Sequence, residues 1–289
     1  MAGFVTLGAP ARLDAAELER KQALLLANLK AMKRVLVAYS GGTDSAYLAW
    51  AAREALGEAA VAVTADSPSI PESHKRDAAA FARQFGIRHE VIPTFEFENP
   101  DYAANNADRC FHCKDELFRR MEEIAPRFEG AVIVYGVNTD DLGDYRPGQG
   151  AAKLHEVKAP LVDAGLSKAE IRELSRMAGL PTWDRPAAAC LSSRVPYGTP
   201  VTPETIRKIE DAEERVRALG FRQFRVRYHG EMARIEIERA ELAAALSLPM
   251  CDRLHEAVRA AGFQYVTLDL KGYRQGSLNE VLPQAPASR

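Results

Sequence analysis

A chain of 289 residues that is 47% hydrophobic and 27% charged can form one large domain or two ordinary ones with a real core, and two is the expectation. No apolar run approaches the roughly 18 residues that a membrane helix needs, and the N-terminus lacks the charged, apolar and small-residue order of a secretory signal, so a cytoplasmic protein is expected. Lys and Arg number 38 against 40 Asp and Glu, a formal net charge of −2 that gives no bias toward a polyanion, and four cysteines in such a chain argue against a disulfide framework.

In chain order, residues 13–32 carry apolar positions at near-helical spacing and read as an amphipathic lead-in helix. Four β-rich runs follow at 35–38, 60–65, 89–92 and 131–137, with helical patterns between them at 46–56, 73–85 and 115–127. Strands alternating with helices predict βαβ units and a parallel sheet covered on both faces. Ser167-Lys-Ala-Glu170 is a capping-box pattern opening a helix to about Met177. The proline-rich stretch around Pro181, Pro186, Pro196 and Pro200 is a loop or linker, which places a domain boundary near Pro200. Beyond it, Thr202-Pro203 opens a helix to about Leu219. Strands at 221–228, 232–237 and 265–268 and helices at 240–246 and 252–261 complete a small α+β unit. The expected division is 13–199, 200–275 and a tail at 276–289.

The run VLVAYSGGTDS, residues 35–45, ends an apolar strand in Ser40, Gly41, Gly42, Thr43, Asp44 and Ser45 just before a helix. Unpaired backbone N–H groups beside the positive end of a helix dipole make an anion site. The glycines let the backbone approach a phosphate, and the hydroxyls of Ser40 and Ser45 add donors. Asp44 would be repelled by phosphate, so it suits the Mg²⁺ that accompanies it. No lysine follows the glycines, which sets this loop apart from the GxxxxGK[ST] pattern.

SGGTDS resembles the pyrophosphate loop (PP-loop) of the ATP pyrophosphatases, the superfamily of NAD synthetase, GMP synthetase, asparagine synthetase and the tRNA thiolation enzymes. The resemblance implies an α/β fold: a Rossmann-like parallel-sheet PP-loop domain of the adenine nucleotide alpha hydrolase type, here with a smaller α+β C-terminal domain. It also implies cleavage of ATP between its α and β phosphates to activate a substrate oxygen as an adenylate.

Later motifs narrow the family. Tyr135-Gly-Val-Asn-Thr-Asp-Asp141 puts Asp140 and Asp141 at the edge of a parallel sheet, where such folds bind ligands. Asp144-Tyr-Arg-Pro-Gly148 and the 159–165 stretch APLVDAG follow, then Ala189-Cys-Leu-Ser-Ser-Arg-Val-Pro-Tyr-Gly198. With SGGTDS upstream and RCFHCK between, this ordered set is similar to the LarE family, ATP-dependent sulfur transferases of nickel-pincer cofactor synthesis. The likeness spans residues 13 to 275. It implies adenylation of a carboxylate of pyridinium-3,5-dicarboxylate mononucleotide and its conversion to a thiocarboxylate.

By that resemblance Cys190 is the sulfur-bearing cysteine, either sacrificed to leave dehydroalanine or joined with Cys110 and Cys113 in holding a [4Fe-4S] cluster whose open iron carries a sulfide. One CxxC alone also suits zinc, redox chemistry or plain structural thiols, and Cys190 after three alanines also suits a small core position. Arg225 and Arg227 alternate on one strand face and, with Arg194 beside Cys190, match where the family binds a substrate phosphate; Glu213 and Glu236 match its metal-binding acids. Solvent-facing charge is the plainer reading of these residues. Cys251 reads as core. Family members assemble as hexamers, which sets the expectation of a homo-oligomer. A tRNA thiolase is the alternative, disfavoured by the balanced charge and by the DYRPG and ACLSSRVPYG stretches. An ammonia-using synthetase would not need the cysteines, and a non-catalytic nucleotide sensor would leave Asp44, Asp140 and Asp141 without purpose.

Overall fold

The computed structural model describes residues 13–143, 147–186, 189–274 and 276–278. Most of the expected tail, residues 279–289, and the first three residues of the DYRPG motif lie outside these. After helix α1 (Ala15–Met32) comes β1 (Val35–Ala38), whose four residues are all buried. Strands β2 (Ala60–Asp66), β3 (Arg88–Pro93) and β4 (Val132–Tyr135) join it in an all-parallel sheet of order β3-β2-β1-β4.

Side chains on these strands alternate between two cores, as the period of two requires. Val35, Val37, Ala60 and Ala62 pack into one core with α1, α2 (Thr43–Leu56), α3 (Glu72–Gln84) and Ile171 and Leu174. Leu36, Ala38, Val61 and Val63 pack into the other, against Leu117, Phe118 and Met121. Both faces of β1 and β2 are therefore covered, and their apolar character follows from that burial, while the edge strand β3 is largely exposed.

Between β3 and β4 lie the short α4 (Pro100–Ala103) and α5 (Arg109–Ile124). Helix α5 begins six residues before the expected start, so Cys110 and Cys113 sit in its first turn, three residues apart on one face. Its opening turn is fixed by the carbonyls of Asn106 and Asp108, which accept from the N–H groups of Arg109 and Phe111 at 3.0 and 2.7 Å, contacts that no periodicity reports. After β4 come α6 (Pro147–Leu154), which the sequence reading had not anticipated, α7 (Pro160–Asp163) and α8 (Lys168–Met177). Helix α8 carries the capping box in full, with Ser167 and Glu170 bonded reciprocally.

The C-terminal part comprises α9 (Pro203–Ala218), β5 (Phe224–His229), β6 (Met232–Ile237), α10 (Leu242–Ala245), α11 (Leu248–Ala260) and β7 (Tyr265–Leu268). Its three strands run in the order β5-β6-β7, the first pair antiparallel and the second parallel. Its core takes in Ile206, Ile209, Val226 and Ile235. It also takes in Tyr102 from α4 and Leu191 and Val195 from the Cys190 segment. That segment is thus packed between the two halves of the chain. Among the described residues no helix is long and apolar enough to cross a membrane.

Candidate active site

The strand-to-helix loop after β1 closes on itself through hydroxyls. Ser45 Oγ receives the backbone N–H of Ser40 at 3.2 Å, lies 3.0 Å from Ser40 Oγ and donates to the carbonyl of Gly42 at 3.1 Å. Gly41 has φ of +74°, and a Cβ there would stand 3.1 Å from that of Ala78, so glycine is required on both counts. Thr43 donates to the carbonyl of Thr182 at 2.8 Å. Just beyond β4, a Cβ on Gly136 would meet the Ser45 nitrogen at 2.8 Å. The exit of β4 therefore lies backbone to backbone against the loop, at the carboxyl edge of the sheet where parallel folds place ligands.

Two cations reach this loop from distant sequence. Lys168 Nζ lies 2.5 Å from Asp44 Oδ2 although 124 residues separate them, and Arg185 donates to the carbonyl of Gly41 at 2.8 Å while pairing with Asp77. The loop whose sequence lacks a lysine thus receives one from the first turn of α8. Asn138, also missed by the sequence reading, is buried and donates to Asp44 Oδ1 at 3.4 Å. Asp140 Oδ2 accepts from the N–H of Lys168 at 3.0 Å, and Asp141 Oδ2 from that of Asn138 at 3.2 Å. These two carboxylates brace the turn and the start of α8, leaving Asp44 as the acid at the loop. Nearby, His74 is held neutral, its pKa lowered to about 4 by burial and by the cationic field of Arg185, Arg217 and Arg194.

The two segments that carry the three motif cysteines pack together: Arg109, beside Cys110, donates to the Ser192 carbonyl at 2.8 Å, and Cys113 packs against the core that holds Leu191. Burial raises the pKa of Cys113, and Glu96, Cys190 and Cys110 add to the rise. Cys110 is exposed as a residue, yet enough protein surrounds its sulfur that burial raises its pKa, with Cys190 adding to the rise and Arg109 opposing it. Among the described residues no three His, Cys, Asp or Glu side chains converge on a single ion. Cys251 stands apart, donating to the carbonyl of Ala245 at 3.3 Å.

The Cys190 turn, a 3₁₀ segment at Leu191–Arg194, is held by its carbonyls. Arg194 donates to the carbonyls of Ala189 and Cys190 at 2.8 and 2.9 Å, and Arg227 to that of Ser193 at 2.9 Å. The N–H of Leu191 donates to the carbonyl of Ser69, three residues beyond β2, at 2.8 Å. Ser69 in turn shares the buried Glu96 with Ser67.

The acids and bases expected to bind metal and phosphate are engaged with each other. Arg194 forks onto Glu213 with two bonds of 2.9 Å, and burial, which alone would raise the Glu213 pKa, is outweighed by Arg194, which holds that carboxyl below its usual range. Arg227 donates to Glu236 Oε2 at 2.7 and 2.9 Å, and Ser277 and Arg234 take Oε1. Both glutamates are buried, 3% and 0% exposed. Buried ion pairs are thus what this structure gives for Glu213 and Glu236, in place of free ligand oxygens, and neither pair is solvent-facing charge. Arg225 is the half-buried member of the set: its guanidinium lies 5.0 Å from the Tyr273 ring, and burial and Arg194 lower its pKa.

This arrangement, a hydroxyl-lined anion loop with lysine and arginine on one side and three thiols with buried arginines on the other, suits activation of an oxygen by ATP followed by sulfur chemistry. The family model described as NAD synthase matches residues 21–127, which hold the PP-loop. An uncharacterized protein of Synechocystis is 44% identical over 87% of this chain and 94% of its own length. An uncharacterized protein of Methanocaldococcus jannaschii is 27% identical over 84% and 91%. The pyridinium-3,5-bisthiocarboxylic acid mononucleotide synthase of Lactiplantibacillus plantarum is 35% identical over 93% of this chain and 98% of its own length. With likeness that runs through both halves and a PP-loop sheet to match, the chain belongs to the LarE family of PP-loop enzymes.

Proposed function

We propose that the protein is an ATP-dependent sulfur transferase that converts a carboxylate of pyridinium-3,5-dicarboxylate mononucleotide to a thiocarboxylate. The observation that carries this reading is the packing of the CxxC helix start against the Cys190 turn, through Arg109 and the Ser192 carbonyl and through Cys113 and Leu191 in one core, in a chain whose other motif is the phosphate loop. A free carboxylate has no leaving group, and adenylation supplies one. A carboxylate oxygen attacks the α-phosphorus of ATP, the bond to the α–β bridging oxygen breaks, and pyrophosphate leaves. Backbone N–H groups of 40–45, with Lys168 and Arg185, balance the charge of the departing phosphates, and Asp44 releases Lys168 to take Mg²⁺. Where Cys190 itself is the donor, its thiolate then attacks the acyl carbon, and AMP leaves with the electron pair of the broken C–O bond.

Sulfur leaves the protein in one of two ways. If Cys190 is consumed, its Cα proton is removed, the Cβ–S bond breaks with both electrons on sulfur, and dehydroalanine remains. In the alternative, Cys110, Cys113 and Cys190 would hold a [4Fe-4S] cluster, which would supply a renewable sulfide in place of the Cys190 sulfur. Three thiols are the donor type such a cluster takes, one to each of three irons. The half-buried Arg225 is the best placed of the arginines to meet the substrate phosphate, with Arg194 and Arg227 holding the Cys190 turn behind it. The hexamer expected for the family belongs to the same proposal, and light scattering tests it.

The deciding experiment is anaerobic purification with iron and sulfide analysis, then incubation with ATP, Mg²⁺ and the dicarboxylate nucleotide. AMP, pyrophosphate and a thiocarboxylate product are expected. Near-stoichiometric four-iron content with unchanged protein mass supports the cluster, and loss of about one H₂S from the protein without iron supports the consumed cysteine. Absence of AMP and thiocarboxylate under both conditions refutes the reading.

A further inference from the structure

Arg109 is a buried guanidinium without a carboxylate beside it. It is 4% exposed, and among the described residues it forms no ion pair with an acid. Its Nη1 donates to Asn105 Oδ1 and, at 2.8 Å, to the carbonyl of Ser192, and its guanidinium stands 5.9 Å from the Tyr197 ring centre. A buried cation is strongly unfavourable unless an anion answers it. Burial alone would lower the Arg109 pKa, and Cys190, Cys110, Tyr102 and Tyr197 nearby outweigh it. Here neutral oxygens answer the cation, the Asn105 amide and the Ser192 carbonyl.

The contacts radiating from Arg109 reach the whole Cys190 segment. Arginine only donates, so Asn105 must turn its oxygen toward Arg109 and its NH₂ toward the other side. There it meets the carbonyls of Val195, Pro196 and Thr199 at 3.3, 2.8 and 2.9 Å. Asn105 is fully buried and sits at φ of +57°, a left-handed conformation that needs such bonds to hold it. Tyr102 adds a bond of 2.7 Å to Ser192 Oγ. The helix that carries Cys110 and Cys113 and the turn that carries Cys190 are therefore joined through one side chain.

We infer that Arg109 is the positioning residue of the sulfur site: it ties the CxxC helix to the Cys190 turn through the Ser192 carbonyl and Asn105. The inference deepens the proposed sulfur transfer and rests on that reading for its purpose. Arg194 and Arg227 hold the neighbouring carbonyls of the same turn, and Arg109 alone of the three lacks an acidic partner.

The test uses the reduced, metal-free full-length protein, a short bifunctional thiol reagent and peptide mass mapping. The readout is the ratio of Cys190 cross-linked to Cys110 or Cys113 over single adducts. Both of Arg109's bonds leave from one nitrogen, so an ammonium can replace them. Arg109→Lys is expected to keep the ratio within about threefold of the unsubstituted protein, and Arg109→Met to lower it by about tenfold or more, the factor set by losing bonds from a charged donor. The Cys251 adduct rate and ATP affinity stay constant in both. The inference is overturned if Arg109→Met cross-links as the unsubstituted protein does, if Arg109→Lys falls as far as Arg109→Met, or if Cys251 labelling accelerates alongside, which marks a general loss of fold. Failure to form AMP and thiocarboxylate leaves this ratio untouched, so the two readings fail separately.

Discussion

Replacing Gly136 with alanine tests whether the end of β4 sets the shape of the phosphate loop. The added Cβ would stand 2.8 Å from the Ser45 nitrogen, 3.0 Å from its Cα and 3.1 Å from the Asp44 carbonyl carbon, where ordinary contact begins at 3.4 Å. All three neighbours are backbone, so no side chain can swing aside. Either β4 or the loop must move by a few tenths of an ångström, and such overpacking costs about 1–3 kcal/mol. The loop is the softer party, since it is held by hydroxyl bonds of 3.0–3.4 Å while β4 is held in the sheet. A shift that misaims one or two backbone donors from a phosphate weakens ATP by roughly 10- to 100-fold, at about 1–3 kcal/mol for each charge-assisted bond. Calorimetric titration with Mg-ATP measures the affinity, and thermal unfolding measures the cost to the fold. ATP affinity within twofold of the unsubstituted protein, with an unchanged Tm, would refute the reasoning that the close approach shapes the site.

Other expectations follow from the buried charges and from the loop cations. Glu213→Gln leaves Arg194 without its counter-ion in a buried setting and should cost about 3–5 kcal/mol in urea unfolding; replacing both partners by apolar residues of similar volume should restore most of it. Lys168→Met should weaken ATP binding by about tenfold through loss of a charge-assisted contact, while Asp44→Asn should spare the fold and remove Mg²⁺-dependent pyrophosphate release, both read by a coupled pyrophosphate assay. His155 lies between Asp115 and Glu122 at 2.9 and 3.0 Å, and burial, which alone would lower its pKa, is outweighed by these acids, so the folded pKa is raised above 6.5. A raised folded pKa means stability present below pH 6.5 and lost as pH climbs through the folded value. The stability gap between the protein and His155→Gln should therefore be widest at low pH and shrink as pH rises, and a gap that widens instead excludes the ion-pair explanation.

The phosphate loop and the parallel sheet were legible in the sequence because their signals are contiguous. An apolar strand followed by SGGTDS, and β-rich runs alternating with helical periods, express local rules of strand burial and glycine conformation. Cys110, Cys113 and Cys190 were legible as types of residue, through RCFHCK and ACLSSRVPYG, and so were the capping box at Ser167 and the proline-opened helix at Thr202. The early start of α5 was hidden because its first turn is fixed by contacts of Arg109, not by an apolar period.

Only the tertiary structure decided what the charges do. Lys168 read as an ordinary residue inside a capping box, yet the return of the chain after β4 carries it across 124 positions to Asp44. Arg194 and Arg227 read as phosphate ligands and Glu213 and Glu236 as metal ligands, and folding buries each of these arginines against a glutamate. Arg109 read as the residue before a cysteine and proved to be a buried cation bonded to the Cys190 turn. A sequence states where charge lies along the chain; whether that charge meets water, an opposite charge or a thiol depends on burial and on long-range pairing, and those are properties of the packed fold.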